Sequence, residues 1–165
     1  MSTIRRWRTS SYAVISEFLR FALAALVLVL GGAAEDLIPK AFGVGAPVLL
    51  ASVPFMVARC NRMEGLAFAV AAGAMEEALS SLPPMAGVGF FLAVALVVRR
   101  VGPVWPLAIL VYPVYQAWLA VWLAGIGGGV FSRILVSLPV GFLTVLAVGV
   151  ALKWLCRKAA VDEQG

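Results

Sequence analysis

From about Tyr12 to Leu152 the chain is a series of long apolar runs separated by short polar breaks. The runs are continuous rather than alternating, which argues for helices and against the apolar–polar alternation of a membrane β-barrel. The pattern predicts six apolar segments: about 12–30, 47–58, 64–79, 85–98, 104–124 and 131–152. The second is short for a full crossing and holds Pro54, which should kink it. The fifth is long and carries Pro106 and Pro113. Residues 31–46, with Gly31, Gly32, Glu35, Asp36 and Lys40, read as a loop whose "EDLIPKAFG" portion makes a short amphipathic turn. Pro83 and Pro84 follow the third segment and stop it, and "RKAAVDEQG" reads as a frayed polar tail.

Composition turns these helices into membrane spans. Hydrophobic residues make up 63% of the chain and charged residues 13%, against about 25% charged in an ordinary soluble domain. A soluble core could not hide so much apolar surface, so lipid is the expected solvent. The first segment follows the basic head "RRWR" and contains Glu17 and Arg20, which favours an uncleaved helix over a signal peptide. The predicted fold is therefore all-α and polytopic, with six transmembrane helices in one compact bundle. A basic N-terminus (1–11), a membrane domain (12–152) and a tail (153–165) divide the chain.

Charge orients the bundle. Six spans place Arg5, Arg6, Arg8, Arg59, Arg62, Arg99, Arg100, Lys153, Arg157 and Lys158 on one side, and Lys40 and Arg133 on the other. Basic loops stay in the cytoplasm, so both termini are expected there. The net charge of +5 is thus topological. No basic stripe interleaved with aromatics suggests nucleic acid. Two cysteines, Cys60 and Cys156, and no histidine leave no zinc pattern. "GIGGGV" lacks the Lys and Ser/Thr of a phosphate loop. No metal or cofactor is expected, and no enzyme: the chain has no histidine base, and Lys40 has no evident serine partner.

The chemistry worth weighing lies in the third segment. Gly65, Ala69, Gly73 and Glu77 are spaced by four and form one stripe, so small residues would let another helix approach closely. Glu77 would end that stripe inside the bundle, while Glu76 is turned about 100° away, on the face of Phe68 and Ala72. Three readings stand for this acid pair: end-of-helix charges in water, an ion pair, or a site for an ion or small molecule. Arg133 is the natural ion-pair partner, unless it snorkels to the interface. Glu17 and Arg20, three apart, pair on one helical face or form a polar patch for a partner's helix. Glu64, at the start of its helix, suits the dipole. In "YPVYQAWLAVW", Tyr112 and Gln116 are one turn apart beside Pro113, so freed carbonyls could line a pocket; a packing kink with an aromatic belt of Trp118 and Trp122 is the plainer reading.

At "GAMEEALSS" the sequence resembles the MreD family of rod-shape-determining membrane proteins, whose third helix tends to end in Gly-x-x-x-Asp-x-x-Ser. Gly73, Glu77 and Ser80 fall on that pattern, with glutamate for the usual aspartate. Pro47, Arg59, Arg62 and Gly65 match the layout of a Pro-started second helix, a basic turn and a glycine-led third helix. The resemblance covers residues 45–90. It implies a non-enzymatic inner-membrane component of the cell-elongation machinery, binding an MreC-like bitopic protein and helping couple peptidoglycan synthases to actin-like filaments. The competing class is the vitamin-binding S-component of an energy-coupling-factor importer, of similar size and helix number. A ligand would then sit near Glu76, Glu77 and Tyr112. The Ala-x-x-x-Ala docking motif of that class is missing from "FALAALVLV".

Overall fold

In a computed structural model, the described residues are 20–38, 46–80, 83–102, 104–123 and 130–162, with side chains absent from the description at Leu123, 130–137 and 155–162. Among them every regular element is helical. The helices are α1 (Arg20–Ile38), α2 (Val48–Arg59), α3 (Arg62–Leu79), α4 (Ala86–Val101), α5 (Val104–Leu123) and α6 (Val130–Asp162). Two of them, α1 and α5, contain stretches long and apolar enough to cross a membrane. The predicted basic head and Glu17 lie outside the described residues.

Helix α2 is the axis of the bundle. It packs on α3, α4, α5 and α6, and every residue from Leu49 to Val57 is buried. A helix apolar all round can be stable only when surrounded, and "VLLASVPFMVAR" is such a sequence. Its one buried polar side chain, Ser52, donates 2.7 Å to the Leu49 carbonyl of the same helix. Its 12 residues span about 18 Å, less than the roughly 30 Å of a bilayer core.

Helix α3 starts where local chemistry dictates. Asn61 accepts from Glu64 N at 2.9 Å, and Glu64 accepts from Asn61 N at 3.1 Å, a reciprocal capping box. The end of the bundle near this cap is basic. Arg99 of α4 donates to the Cys60 and Asn61 carbonyls at 3.2 and 2.6 Å, and Arg59 donates to the Leu152 carbonyl of α6 at 2.9 Å. These arginines thus place charge on carbonyls at the ends and flank of neighbouring helices.

Two elements differ from the sequence pattern. Residues 31–38, expected as loop, continue α1. Gly31 and Gly32 are buried there because α1 runs against α2 and α3: a Cβ on Gly31 would lie 2.7 Å from Leu49 Cδ2, and one on Gly32 would strike Met75. The glycines are contact points rather than breaks. The tail expected to fray is helical through Asp162, so α6, at 33 residues, is longer than α5. Helix α3 ends at Leu79, where the pattern puts it, ahead of both prolines and with Ser80 as an extended C-cap.

Candidate functional site

Opposite the basic end, α1, α3 and α5 bring acids and tyrosines together around the N-termini of α2 and α4. Glu77 is the most fully engaged. Its Oε1 accepts from Val88 N at 2.8 Å and its Oε2 from Met85 N at 3.1 Å. Both donors belong to the start of α4, where backbone N–H groups lack partners within the helix. The carboxylate is therefore an N-terminal cap supplied by another helix, and the α4 dipole favours its charge. Met85 is held at φ 69°, in the left-handed region that favours glycine, and its N–H points to Glu77.

Close approach makes this cap reachable. A Cβ at Gly73 would lie 2.7 Å from Val88 Cα and 2.9 Å from Val88 N. The stripe singled out in sequence is thus internal to this chain: Gly73 faces α4, Gly65 faces the Val57 backbone of α2 and the Arg99 guanidinium, and Ala69 is fully buried between them. It is not a surface for a second protein. Ser80, which completes the motif, has its Oγ buried without a hydrogen-bond partner among the described residues.

Glu76 turns from Glu77 into a second network. Tyr115, 3% exposed, donates to Glu76 Oε1 at 2.6 Å. Glu35 of α1 lies beside Glu76. Its Oε1 accepts from Leu49 N at 2.7 Å and it also bonds the Val48 backbone, so it caps α2 as Glu77 caps α4. Its Oε2 is buried with no donor among the described residues. Of the three readings for the acid pair, free end-of-helix charge does not describe Glu76, which a tyrosine and a second carboxyl engage. The sequence reading missed Glu35 and Tyr115. The available signal for Glu35 was helical spacing, since Ala24, Val27, Leu28, Gly31 and Glu35 continue one face of α1.

At Tyr112 and Gln116 the contacts agree with the plainer reading, packing, rather than with a pocket. Gln116 Nε2 donates to Tyr112 Oη at 2.7 Å. Tyr112 itself, 1% exposed, lies against Gly141 and packs edge-on to Phe142 with ring centroids 6.1 Å apart. Glycine on α6 admits the ring, and the ring fills the space beside Pro113. Trp118 and Trp122 meet at 5.7 Å, and Phe90 sits 5.1 Å from Tyr115 and 6.1 Å from Trp118. An aromatic wall therefore closes the side of the acidic end formed by α4 and α5.

Of the remaining candidates, only Arg20 has a described side chain. Arg20 is exposed at the start of α1 and has an interaction of its own. Glu17 and the side chain of Arg133 lie outside the described residues, so the proposed Glu77–Arg133 pair falls there too. Among the described residues no group of three or more acids, cysteines or histidines is placed to hold a metal ion.

Fold and site together define an all-helical bundle whose intrahelical acids act on neighbouring helix ends, with two helices long and apolar enough to cross a membrane. Compared with known proteins, the chain matches no family model, no curated protein and no solved structure.

Proposed function

We propose that the chain is a six-span inner-membrane protein with both termini in the cytoplasm, and a non-enzymatic part of the bacterial cell-elongation machinery like the MreD family it resembles. The observation that carries this reading is the role of Glu77. It stands at the acidic position of the resemblance motif, and both of its oxygens accept backbone N–H groups of α4. Gly73, the motif's glycine, supplies the close approach that puts it there. A motif spent on joining two helices suits an architectural protein, since a carboxylate committed to two donors is a poor nucleophile or base.

The partner surface lies elsewhere. Phe21, Leu26, Val29 and Leu30 on α1 are exposed and apolar. A single-span partner such as an MreC-like protein would pack along this helix, through van der Waals contact between lipid-facing side chains. The α3 stripe is excluded from that role because α2 and α4 cover it.

The test is co-purification of the full chain from its native membrane in mild detergent. Recovery of a bitopic coiled-coil protein with peptidoglycan synthases supports the reading, and Phe21→Arg on α1 should abolish it. Recovery of an ATPase module, or thermal stabilisation by a vitamin, would overturn it in favour of the importer class.

A further inference from the structure

Helix α1 is the least embedded element of the bundle. Phe21, Leu26, Val29, Leu30 and Leu37 are exposed along it. Its packing face consists of Ala24, Val27 and Leu28, partly buried against the core, followed by the contact glycines Gly31 and Gly32. Glu35 ends that face, and it is the side chain through which α1 bonds the backbone of another helix, at Leu49 and Val48.

The surroundings of Glu35 hold an imbalance. Its Oε1 has the α2 N-terminus as donor. Its Oε2 is buried with none among the described residues, and the group beside it is another carboxyl, Glu76. Two carboxylates are acceptors only. Placed together away from water they repel, and each leaves lone pairs unsatisfied. One proton resolves both problems, because a protonated carboxyl donates to its ionised neighbour. The single remaining negative charge is well served, by the N–H groups of α2 on one side and the Tyr115 hydroxyl on the other. Among the described residues, the titratable groups around the pair are these, by element. Helix α5 contributes Tyr115, with Tyr112 behind it. Helix α2 contributes backbone N–H groups only. Glu77, next on α3, is turned to α4, and Asp36, next on α1, has an interaction of its own.

We propose that Glu35 and Glu76 share one proton, and that this carboxyl–carboxylate bond is a latch fastening α1 to the bundle, released when the proton is lost. Deprotonation puts a second negative charge where the described residues offer it no donor. Glu35 then leaves the α2 N-terminus, and α1 loosens about its other contacts, a narrow apolar stripe and the interactions of Arg20 and Asp36. The inference does not depend on the proposed partner or pathway.

Two measurements on the full chain in lipid nanodiscs test it. The first is infrared spectroscopy at neutral pH. The wild type should show the carbonyl band of a protonated carboxylic acid, lost in Glu35→Gln and equally in Glu76→Gln, since an amide donor leaves the other acid ionised. The second is the distance between spin labels on cysteines replacing the exposed Val29 and Leu79, in a background with Cys60 and Cys156 changed to serine. Raising the pH from mildly acid to strongly alkaline should broaden and lengthen the wild-type distribution. In Glu35→Gln, where the amide replaces the carboxyl donor permanently, the distribution should stay narrow throughout. If that variant does not fold, Glu76→Gln should show the same insensitivity. Absence of the wild-type band, or a spin-label distance unaffected by pH, would overturn the latch. Equal pH responses in wild type and the glutamine variant would also overturn it.

Discussion

A methyl group added at Gly73 would meet the α4 backbone at 2.7 Å, which no rotamer change can relieve. Gly73→Ala should therefore destabilise the protein by about 1–3 kcal/mol, the usual effect of overpacking. Gly89 is a control on the same pair of helices: it is exposed, with nothing within 4 Å of its would-be Cβ. Gly89→Ala should gain up to about 1 kcal/mol from helix propensity. Thermal unfolding in detergent should move the two midpoints in opposite directions. Glu77 sits at the same contact with a different stake. Glu77→Ala strips an acceptor from Met85 N and Val88 N at once, and a loss of about 1–3 kcal/mol is expected. Glu77→Gln keeps one acceptor oxygen and should lose less, so the order wild type, Gln, Ala in unfolding temperature checks the capping role.

At the scale of elements, the start of α3 is set by its own side chains, whereas the starts of α2 and α4 are capped by acids from α1 and α3. The Asn61–Glu64 box is the clearest start. Asn61→Ala should cost about 1 kcal/mol, seen as lower unfolding temperature and faster hydrogen exchange in the first turn of α3. Five of the six helices follow apolar runs visible in the sequence, because a continuous run without alternation has few other solutions. The extension of α1 was hidden by its own composition. "GGAAED" carries the residues of a loop, and only the presence of Leu49 and Met75 on the neighbouring helices turns Gly31 and Gly32 into packing positions. The site was legible to the same extent. Glu77 and Gly73 share a four-residue spacing that a single helix reveals. Glu35, Glu76 and Tyr115 meet across three helices, and no one-dimensional period encodes that meeting. Tyr112 is a mixed case: its pairing with Gln116 was readable one turn apart, whereas the filling of its surroundings depends on Gly141, on another helix.

Across the whole molecule charge is sorted by end. Arg59 and Arg99 bind carbonyls at one end of the bundle, while Glu35, Glu76 and Glu77 occupy the other. Such a bundle should insert with its basic end in the cytoplasm. Met63 and Met85 are exposed and lie toward opposite ends, 77% and 69% accessible. In a chain with Cys60 and Cys156 replaced by serine, Met63→Cys should react with a membrane-impermeant thiol reagent only from the cytoplasmic face, and Met85→Cys only from the outer face. Reaction of both from one face would refute the alternating topology. The buried axis has a further consequence, for the order of biosynthesis. Helix α2 spans only about 18 Å and hides every residue from Leu49 to Val57, so its lasting surroundings are protein rather than lipid. As it leaves the ribosome it has no stable position of its own, and it must wait for α3 and α4 before it can settle. A nascent chain halted after α2 should therefore remain extractable from the membrane, and one halted after α4 should not.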